Sequence, residues 1–360
     1  MLCLFLFLKT PHLTREAVSF TQHIMRLDPL GTILFVPSIV CLVLALQWGG
    51  SQYAWNSWRI ILLLVIFAVT MIAFAAVQVL MPATATVPLK IIKQRSMLAG
   101  FLYMTFIGGA MVMCVYYIPL WCTLFLPLSI KGKSADNRPV VQTTHGVSPV
   151  KSGVYILPLV ISLVIANIIQ SALTQRIGYY VPAMLISSVT MAVGEGLMAS
   201  FTPSTGHSQW IAYQFLTGFG LGFGMQTVSL AIQATLPRED VAVGLSLGFF
   251  GQQLGGAIFV SVGQTILSTS LIDKLSGVSG LDAPGIIKAG ATNLHRVVPE
   301  QFYDTVCDAY NFACTRIFYA AMALTLAQLC VSLCMEWRSI KKDKKGGKAS
   351  DPEKNTSVAK

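Results

Sequence analysis

The stretch GFFGQQLGGAIFVSVGQTI, residues 248–266, is apolar enough to lie in a membrane, yet it contains three glutamines and five glycines. Amide groups are costly in hydrocarbon unless a polar partner satisfies them. A helix formed by this stretch therefore needs a polar surface for its amides and a close neighbour for its glycines. A bundle of membrane helices meets both needs.

The composition of the whole chain agrees with a membrane protein. Hydrophobic residues make up 54% of the 360 residues, charged residues only 11%, and the mean hydropathy is +0.66. Soluble globular proteins carry about 25% charged residues. The apolar runs are continuous rather than alternating, which excludes an outer-membrane β-barrel. The sequence thus predicts an all-α, polytopic transmembrane helical bundle.

Apolar runs of about 20 residues are long enough to cross the hydrocarbon core. Eight runs meet this criterion, namely 29–47, 60–80, 98–122, 154–173, 181–201, 210–234, 241–268 and 314–335. A ninth run begins directly after Met1 and is too short to cross, and it lacks the basic head and cleavage site of a signal peptide. We interpret residues 1–8 as the stub of a helix whose beginning is absent.

The basic residues predict the orientation. If the segment after Leu8 is cytoplasmic and the spans alternate, most of the 25 Lys and Arg residues lie on the cytoplasmic side, as the positive-inside rule requires. Both termini are then cytoplasmic, and the net charge of +10 mainly reflects this orientation. The basic tail, residues 336–360, is expected to be disordered and to face anionic lipid rather than nucleic acid.

Glycines follow one side of the run 241–268, in a stripe suited to close packing of a neighbouring helix: Gly244, Gly248, Gly251 and Gly255. Gln253 and Gln264 lie almost opposite this stripe. In the preceding run, 210–234, glycines and polar side chains share one side of the predicted helix: Gly218, Gly222, Gln226, Ser229 and Gln233.

These amides allow two interpretations. They form hydrogen bonds between helices, or they line a water-accessible cavity and contact a solute. Several amides on adjacent helices favour a cavity for the set as a whole. The candidates are Gln226, Gln233, Gln253 and Gln264, together with Asn167 and Gln170 on the run 154–173.

Glu195 is the only carboxylate well inside a predicted span. An acidic residue within a membrane helix is a functional candidate by default. Protonation of Glu195 could couple proton movement to transport. The alternative is a carboxylate near the outer interface that reaches water.

The sequence argues against an enzyme. The five histidines all lie in predicted loops without catalytic partners, the Cys and His spacing does not fit a zinc site, and no glycine-rich nucleotide-binding loop is present. Most of the eight cysteines fall inside spans as small apolar residues. A Cys307–Cys314 disulfide is disfavoured if both residues are helical. We therefore predict no catalytic residues, no cofactor, no metal, and no binding of ATP or nucleic acid.

Three stretches resemble a known family: DPLGTILFVPSIVCLVLALQWGGSQYAW (28–55), GVSPVKSGVYILPLV (146–160) and FFGQQLGGAIFVSVGQTI (249–266). They resemble the fourteen-span drug–proton antiporter branch of the major facilitator superfamily, in particular the fungal toxin and multidrug efflux pumps. Their order agrees with that family, and together they extend over nearly the whole chain.

The resemblance implies an architecture of two six-helix bundles joined by two further spans. Residues 28–80 would be the two linking helices, 97–335 the C-terminal six-helix bundle, and 1–8 the stub of the sixth helix, so that five to six N-terminal spans would be missing. Residues 9–27 fit a cytoplasmic amphipathic helix. The segment CTLFLPLSIKGKSADNRPVVQTT, residues 122–144, is either a genuine outer loop or a translated intron.

The resemblance also implies a function. It indicates an efflux transporter that exports toxins, secondary metabolites or drugs by proton antiport with alternating access, residing in the plasma membrane. The alternative is an inactive truncated fragment or a wrongly assembled gene product of such a transporter. Arg176 is the candidate for the cytoplasmic gating loop, although Gln175 occupies a position where an acid is common and Tyr179 and Tyr180 replace basic residues.

Overall fold

A computed structural model describes residues 28–50, 53–81, 89–130, 153–278 and 298–338, with a few further positions between 281 and 294. The predicted stub at 1–8, the amphipathic segment at 9–27, residues 131–144 of the segment 122–144, and the tail beyond 338 lie outside the described residues.

The described residues form a succession of helices, eight of which are long and apolar enough to cross a membrane. Their order is α1 Pro29–Trp48, α2 Trp58–Leu80, the short α3 Leu89–Ile92, α4 Arg95–Ile130, α5 Leu157–Ile177, α6 Val181–Met198, α7 His207–Thr235, α8 Val241–Leu275 and α9 Tyr303–Leu333. This confirms the prediction of an all-α polytopic bundle, and the chain is an integral, multi-pass membrane protein.

Three helices extend at least seven residues further than the apolar runs predict. Helix α4 continues from 122 to Ile130, α8 ends at Leu275 instead of 268, and α9 begins at Tyr303 instead of 314. Hydropathy marks the part of a helix at hydrocarbon depth, whereas the helix itself continues into the interface. Polar residues such as Asp304 and Asp308 break the apolar pattern of α9 without breaking its helix.

Helix α4 lies at the centre of the bundle and contacts α7, α8 and α9. Helix α7 packs mainly against α5 and α6, and α9 also packs against α6. At one end of the bundle Trp121 stacks on Phe201 with ring centroids 4.3 Å apart, and its indole Nε1 donates to Asn311 Oδ1 at 2.7 Å. The Asn311 amide in turn donates to the Phe201 carbonyl at 3.2 Å, so three separate parts of the chain are joined there.

The opposite end of the bundle is closed by bonds to the residues that follow α9. Arg95 Nε donates to the Cys334 carbonyl at 2.9 Å, and the Tyr180 hydroxyl donates to the Glu336 carbonyl. Cys307 and Cys314 both lie in α9 as free, buried thiols. This is the outcome expected for two cysteines separated by nearly two turns of one helix.

Helices α1 and α2 form a hairpin that packs mainly on itself and contacts the bundle chiefly at α8. At one end the Asp28 carboxylate accepts from Gly31 N at 2.8 Å and from Gln78 Nε2 at 2.6 Å, which joins the start of α1 to the end of α2. Phe35 lies 5.1 Å from Phe250 of α8, measured between ring centroids. Most of the remaining hairpin surface is apolar and exposed, as expected for a surface in contact with lipid.

The glycine stripe of α8 lies against its neighbours. A methyl group added at Gly255 would collide with the Thr105 carbonyl oxygen of α4, and one at Gly251 would lie 3.0 Å from the Phe101 carbonyl oxygen. Methyl groups added at Gly244 and Gly248 would lie 2.9 and 3.2 Å from the Ile232 side chain near the end of α7, and the one at Gly244 would lie closer still to the Leu236 side chain. The missing side chains let α8 approach the backbone of α4 directly.

The stripe of α7 divides into two parts. Gly218 and Gly222 are buried against the Leu159 and Leu163 carbonyls of α5, whereas Gln226 and Gln233 are exposed. Glycines and amides therefore do not share one environment, contrary to the sequence-based interpretation. Gln226 lies about 80° around the helix from Gly218 and so turns away from α5, whereas Gln233 lies in the last turn of α7, which ends at Thr235.

We predict that Gly255→Ala destabilises the bundle and that Gly248→Ala does not. The new methyl group at 255 meets a backbone carbonyl that cannot move freely, whereas at 248 it meets only the end of the Ile232 side chain, 3.2 Å away. Overpacking of this kind costs about 1–3 kcal/mol, while alanine itself favours a helix over glycine. Thermal unfolding in detergent tests the pair, and equal midpoints for both variants would contradict the close contact.

Candidate functional site

Glu195 lies in the middle of the bundle, where α4, α6 and α9 meet. Its side chain is completely buried. Thr325 Oγ1 of α9 donates to Glu195 Oε2 at 2.8 Å, and Cys114 Sγ of α4 donates to Oε1 at 3.7 Å. The carboxyl group is thus held by hydrogen bonds from two helices other than its own.

No Lys, Arg or His within the described ranges forms an ion pair with Glu195. The interpretation in which this carboxylate reaches water at the outer surface is wrong for this structure, because the side chain is fully buried. A buried carboxylate without a counter-ion is costly and is seldom retained for packing alone. Its two donors are a hydroxyl and a thiol, both neutral.

A second buried polar layer lies next to this cluster along α6 and α9. Gln328 Nε2 donates to Ser188 Oγ at 3.1 Å, and Ser188 Oγ donates to the Met184 carbonyl at 3.0 Å. The Tyr103 hydroxyl of α4 donates to the same carbonyl at 3.3 Å. Gln328 Oε1 is buried and has no protein partner among the described residues. Polar side chains therefore continue for two helical turns beyond Glu195.

Sequence reasoning singled out Glu195 but missed the residues around it. A signal for them exists, since Thr325, Gln328 and Ser332 recur at the spacing of one face of α9, and all three are buried. Cys114 offers no comparable signal, because a cysteine in an apolar helix is usually just a small packing residue.

Four of the amide candidates reach the surface of the bundle. Gln226 and Gln233 of α7 and Gln253 and Gln264 of α8 are all exposed. Exposed amides on a helix at hydrocarbon depth would be unsatisfied against lipid tails. The surface on which they lie is therefore suited to water or to a polar partner.

The two amide candidates of α5 are placed differently. Gln170 is fully buried, and its Nε2 donates to Thr227 Oγ1 of α7 at 2.9 Å and to Thr174 Oγ1 at 3.0 Å. In this structure it bonds two helices together and faces no open space. Asn167 is half-buried, and its Nδ2 donates to the Leu163 carbonyl at 3.1 Å within its own helix.

Arg176 lies in the last turn of α5 and is exposed. Gly178 follows with a φ of 80°, a left-handed conformation that ends the helix and that glycine adopts without strain. Of the two tyrosines in this loop, Tyr179 is exposed, whereas Tyr180 is buried against the end of α9. The loop between α5 and α6 is therefore short, and Tyr180 fixes one side of it against the end of α9.

Gln264 also lines a cavity of about 480 Å³ beside the end of α1. Three tyrosines, Tyr116, Tyr117 and Tyr310, lie around it. None of them was singled out from the sequence, because an aromatic residue in an apolar helix is more often part of the core.

Comparison with known proteins shows what this chain is similar to. No family model matches the chain. It is 42% identical over 345 residues to an MFS-type transporter of Claviceps purpurea, covering 95% of this chain and 56% of that protein. It is 40% identical over 343 residues to an MFS-type efflux pump of Arthroderma benhamiae, covering 95% and 60%, and 40% identical over 320 residues to an efflux pump of Aspergillus parasiticus, covering 88% and 59%.

The chain thus spans somewhat more than half the length of the curated relatives that it matches. The similarity extends over nearly all of this chain, from the α1–α2 hairpin to α9, at an identity well above what chance produces. Over the region that it shares with them, the chain is similar to MFS-type transporters and efflux pumps.

Proposed function

We propose that this chain forms part of an efflux transporter that exports small organic molecules by proton antiport. The observation that carries the proposal is the set of exposed amides on α7 and α8, because most other exposed side chains of the described long helices are apolar. A transporter needs such a surface, because a solute crosses the membrane through a space that is lined by polar side chains and water.

The names of the relatives support export. Two of them are named efflux pumps, and another relative, of Neocamarosporium betae, is named an aspyridones efflux protein, at 38% identity over 325 residues. From these names we take export alone, and we propose toxins, secondary metabolites or drugs of low molecular weight as the exported molecules.

In the proposed arrangement, α4–α9 are the C-terminal bundle and α1–α2 are the two linking helices. The surface that carries the exposed amides of α7 and α8, which we call the amide face, closes against a second bundle. That bundle corresponds to the additional length of the relatives. Solute occupies the space between the bundles near the middle of the membrane, and rocking of one bundle against the other opens it to either side. Both ends of the chain are cytoplasmic, Arg176 lies in the gating loop, and the membrane is the plasma membrane.

A fragment without transport activity is the second candidate, because the chain covers only 56–60% of the first relatives. Export of Nile red by cells separates the two. One set of cells produces the 360-residue chain alone, and another produces it joined to the additional N-terminal region of the Claviceps purpurea relative. Export only in the second set identifies the amide face as half of a site, and export in neither set contradicts the proposed function.

We predict that Gln226→Leu and Gln253→Leu each lower Nile red export by roughly fivefold, since each removes about one hydrogen bond to solute. Both side chains are exposed, so insertion and abundance in the membrane should stay the same. Val193→Leu, on the exposed apolar side of α6, is the matched control. Unchanged export in both amide variants would contradict the assignment of this face.

We predict that Glu195→Gln removes the dependence of export on the proton gradient. Glutamine retains the shape and can still accept from Thr325, but it cannot gain or lose a proton at this position. Export by the unaltered protein should rise as the external medium becomes more acidic, and export by the variant should not.

Glu239→Gln provides the matched control, because Glu239 is exposed in the loop between α7 and α8. It should keep the proton dependence of the unaltered protein. A Glu195→Gln variant that responds to the gradient like this control would exclude Glu195 as the coupling residue.

A further inference from the structure

The cavity beside the end of α1 lies between the linking hairpin and the bundle. Gln47, Gly49 and Gly50 come from the end of α1 and the turn after it, and the other walls come from α4, α8, α9 and the chain between α8 and α9. Its volume of about 480 Å³ is within the range of roughly 300–1,000 Å³ typical of small-molecule sites. Helix α1 forms one wall of this cavity, and Gln264, one of the exposed amides of α8, belongs to its lining.

Two tyrosines that are almost fully buried line this cavity, Tyr117 of α4 and Tyr310 of α9. Tyr117 is 4% exposed and Tyr310 is 2% exposed, and both line it. Neither phenol hydroxyl forms a hydrogen bond within the described part of the chain. Neither hydroxyl oxygen is itself fully buried, so each is accessible to an occupant of the cavity. An occupant of the cavity that carries hydrogen-bonding groups would supply a partner for each of the two tyrosine hydroxyls.

Further polar groups lie on the α8 wall. Ser261 Oγ donates to the Ala257 carbonyl at 3.2 Å, and Thr265 Oγ1 donates to the Ser261 carbonyl at 3.0 Å. Their protons are thus used within the helix, while their oxygen lone pairs can still accept. The Gln264 amide and the exposed Tyr116 hydroxyl add groups that both donate and accept. The cavity can therefore bond to hydroxyl groups in either direction.

The same walls disfavour a charged occupant. None of the described residues that line the cavity is acidic, basic or histidine. An ion placed there would lose its hydration without gaining a counter-charge. Leu120, Leu267 and Leu271 form apolar parts of the walls, and the tyrosine rings offer faces for stacking.

We propose that this cavity binds neutral aromatic molecules that carry several hydroxyl groups, with Tyr117 and Tyr310 bonded to those hydroxyls. The proposal deepens the proposed function by naming a class of exported molecule, and it rests on that function for its role in export. Binding itself depends only on the cavity.

Three stilbenes of similar shape test the proposal on the purified 360-residue chain in detergent, by equilibrium dialysis against empty micelles. Resveratrol is neutral and carries three hydroxyls, trans-stilbene carries none, and stilbene dicarboxylate is charged. Resveratrol should bind most tightly, and Tyr117→Phe and Tyr310→Phe should each weaken it by roughly fivefold, the effect of one lost hydrogen bond. The weaker binding of trans-stilbene should not change.

Tyr179→Phe is the matched control, because Tyr179 is exposed in the loop between α5 and α6 and does not line the cavity. The retained binding of trans-stilbene also shows that a variant is folded. Unchanged resveratrol binding in both cavity variants, an equal loss for both uncharged probes, or dicarboxylate binding as tight as that of resveratrol would each overturn the proposal.

The outcome of the stilbene binding test is independent of the export assay. If the cavity variants lose resveratrol binding while cells export no Nile red, the binding site stands and the proposed function fails. If export proceeds but the two variants bind resveratrol normally, the function stands and this site is wrong.

Discussion

The structure depends on one constraint, which is that hydrocarbon cannot satisfy a polar group. Each polar side chain at membrane depth must therefore find a partner within the protein or lie on a surface that meets water. Gln170 bonds to Thr227, Glu195 accepts from Thr325, and Gln78 donates to Asp28, in each case between two helices. The amides of Gln226 and Gln253 have no such arrangement and lie exposed instead. Bonded polar groups therefore join helices and exposed amides require a polar surface, while Glu195 is bonded and is also the candidate for proton coupling.

Close packing of the helices makes the buried bonds possible. Along α8 the glycines bring its backbone against the carbonyl groups of α4 at Thr105 and Phe101. Because no side chains separate α4 from α8, α4 lies at the centre of the bundle and also contacts α9. Cys114 of α4 and Thr325 of α9 both donate to the Glu195 carboxyl group. Small residues at one interface therefore help to fix the geometry of a polar cluster at another.

Two kinds of candidate site result, and their chemistry differs. The cluster around Glu195 is closed, and it contains an ionisable group with neutral hydrogen-bond donors. The cavity at Tyr117 and Tyr310 is open and uncharged among its described lining residues, with hydroxyl groups and apolar walls. The first arrangement suits a proton, which needs no space, and the second suits an organic molecule, which needs volume and several weak contacts. Both involve α4 and α9, so movement of either helix would affect both.

The sequence alone determined the helical class, the number of long apolar helices and their approximate positions, because these depend on local composition and on the thickness of the hydrocarbon core. It also indicated Glu195 and the exposed amides of α8, since a polar residue in an apolar run stands out. The predicted apolar run begins eleven residues after the start of α9, because Asp304 and Asp308 interrupt the apolar pattern but not the helix.

Only the tertiary structure decided which polar groups meet. Gln170 and Gln226 look alike in sequence, yet one bonds across to α7 and the other is exposed. Likewise, Tyr117 and Tyr310 lie far apart in the chain and line one cavity only because α4 and α9 pack together. Helical periodicity defines which residues share a face, but the neighbour of that face depends on how the helices assemble.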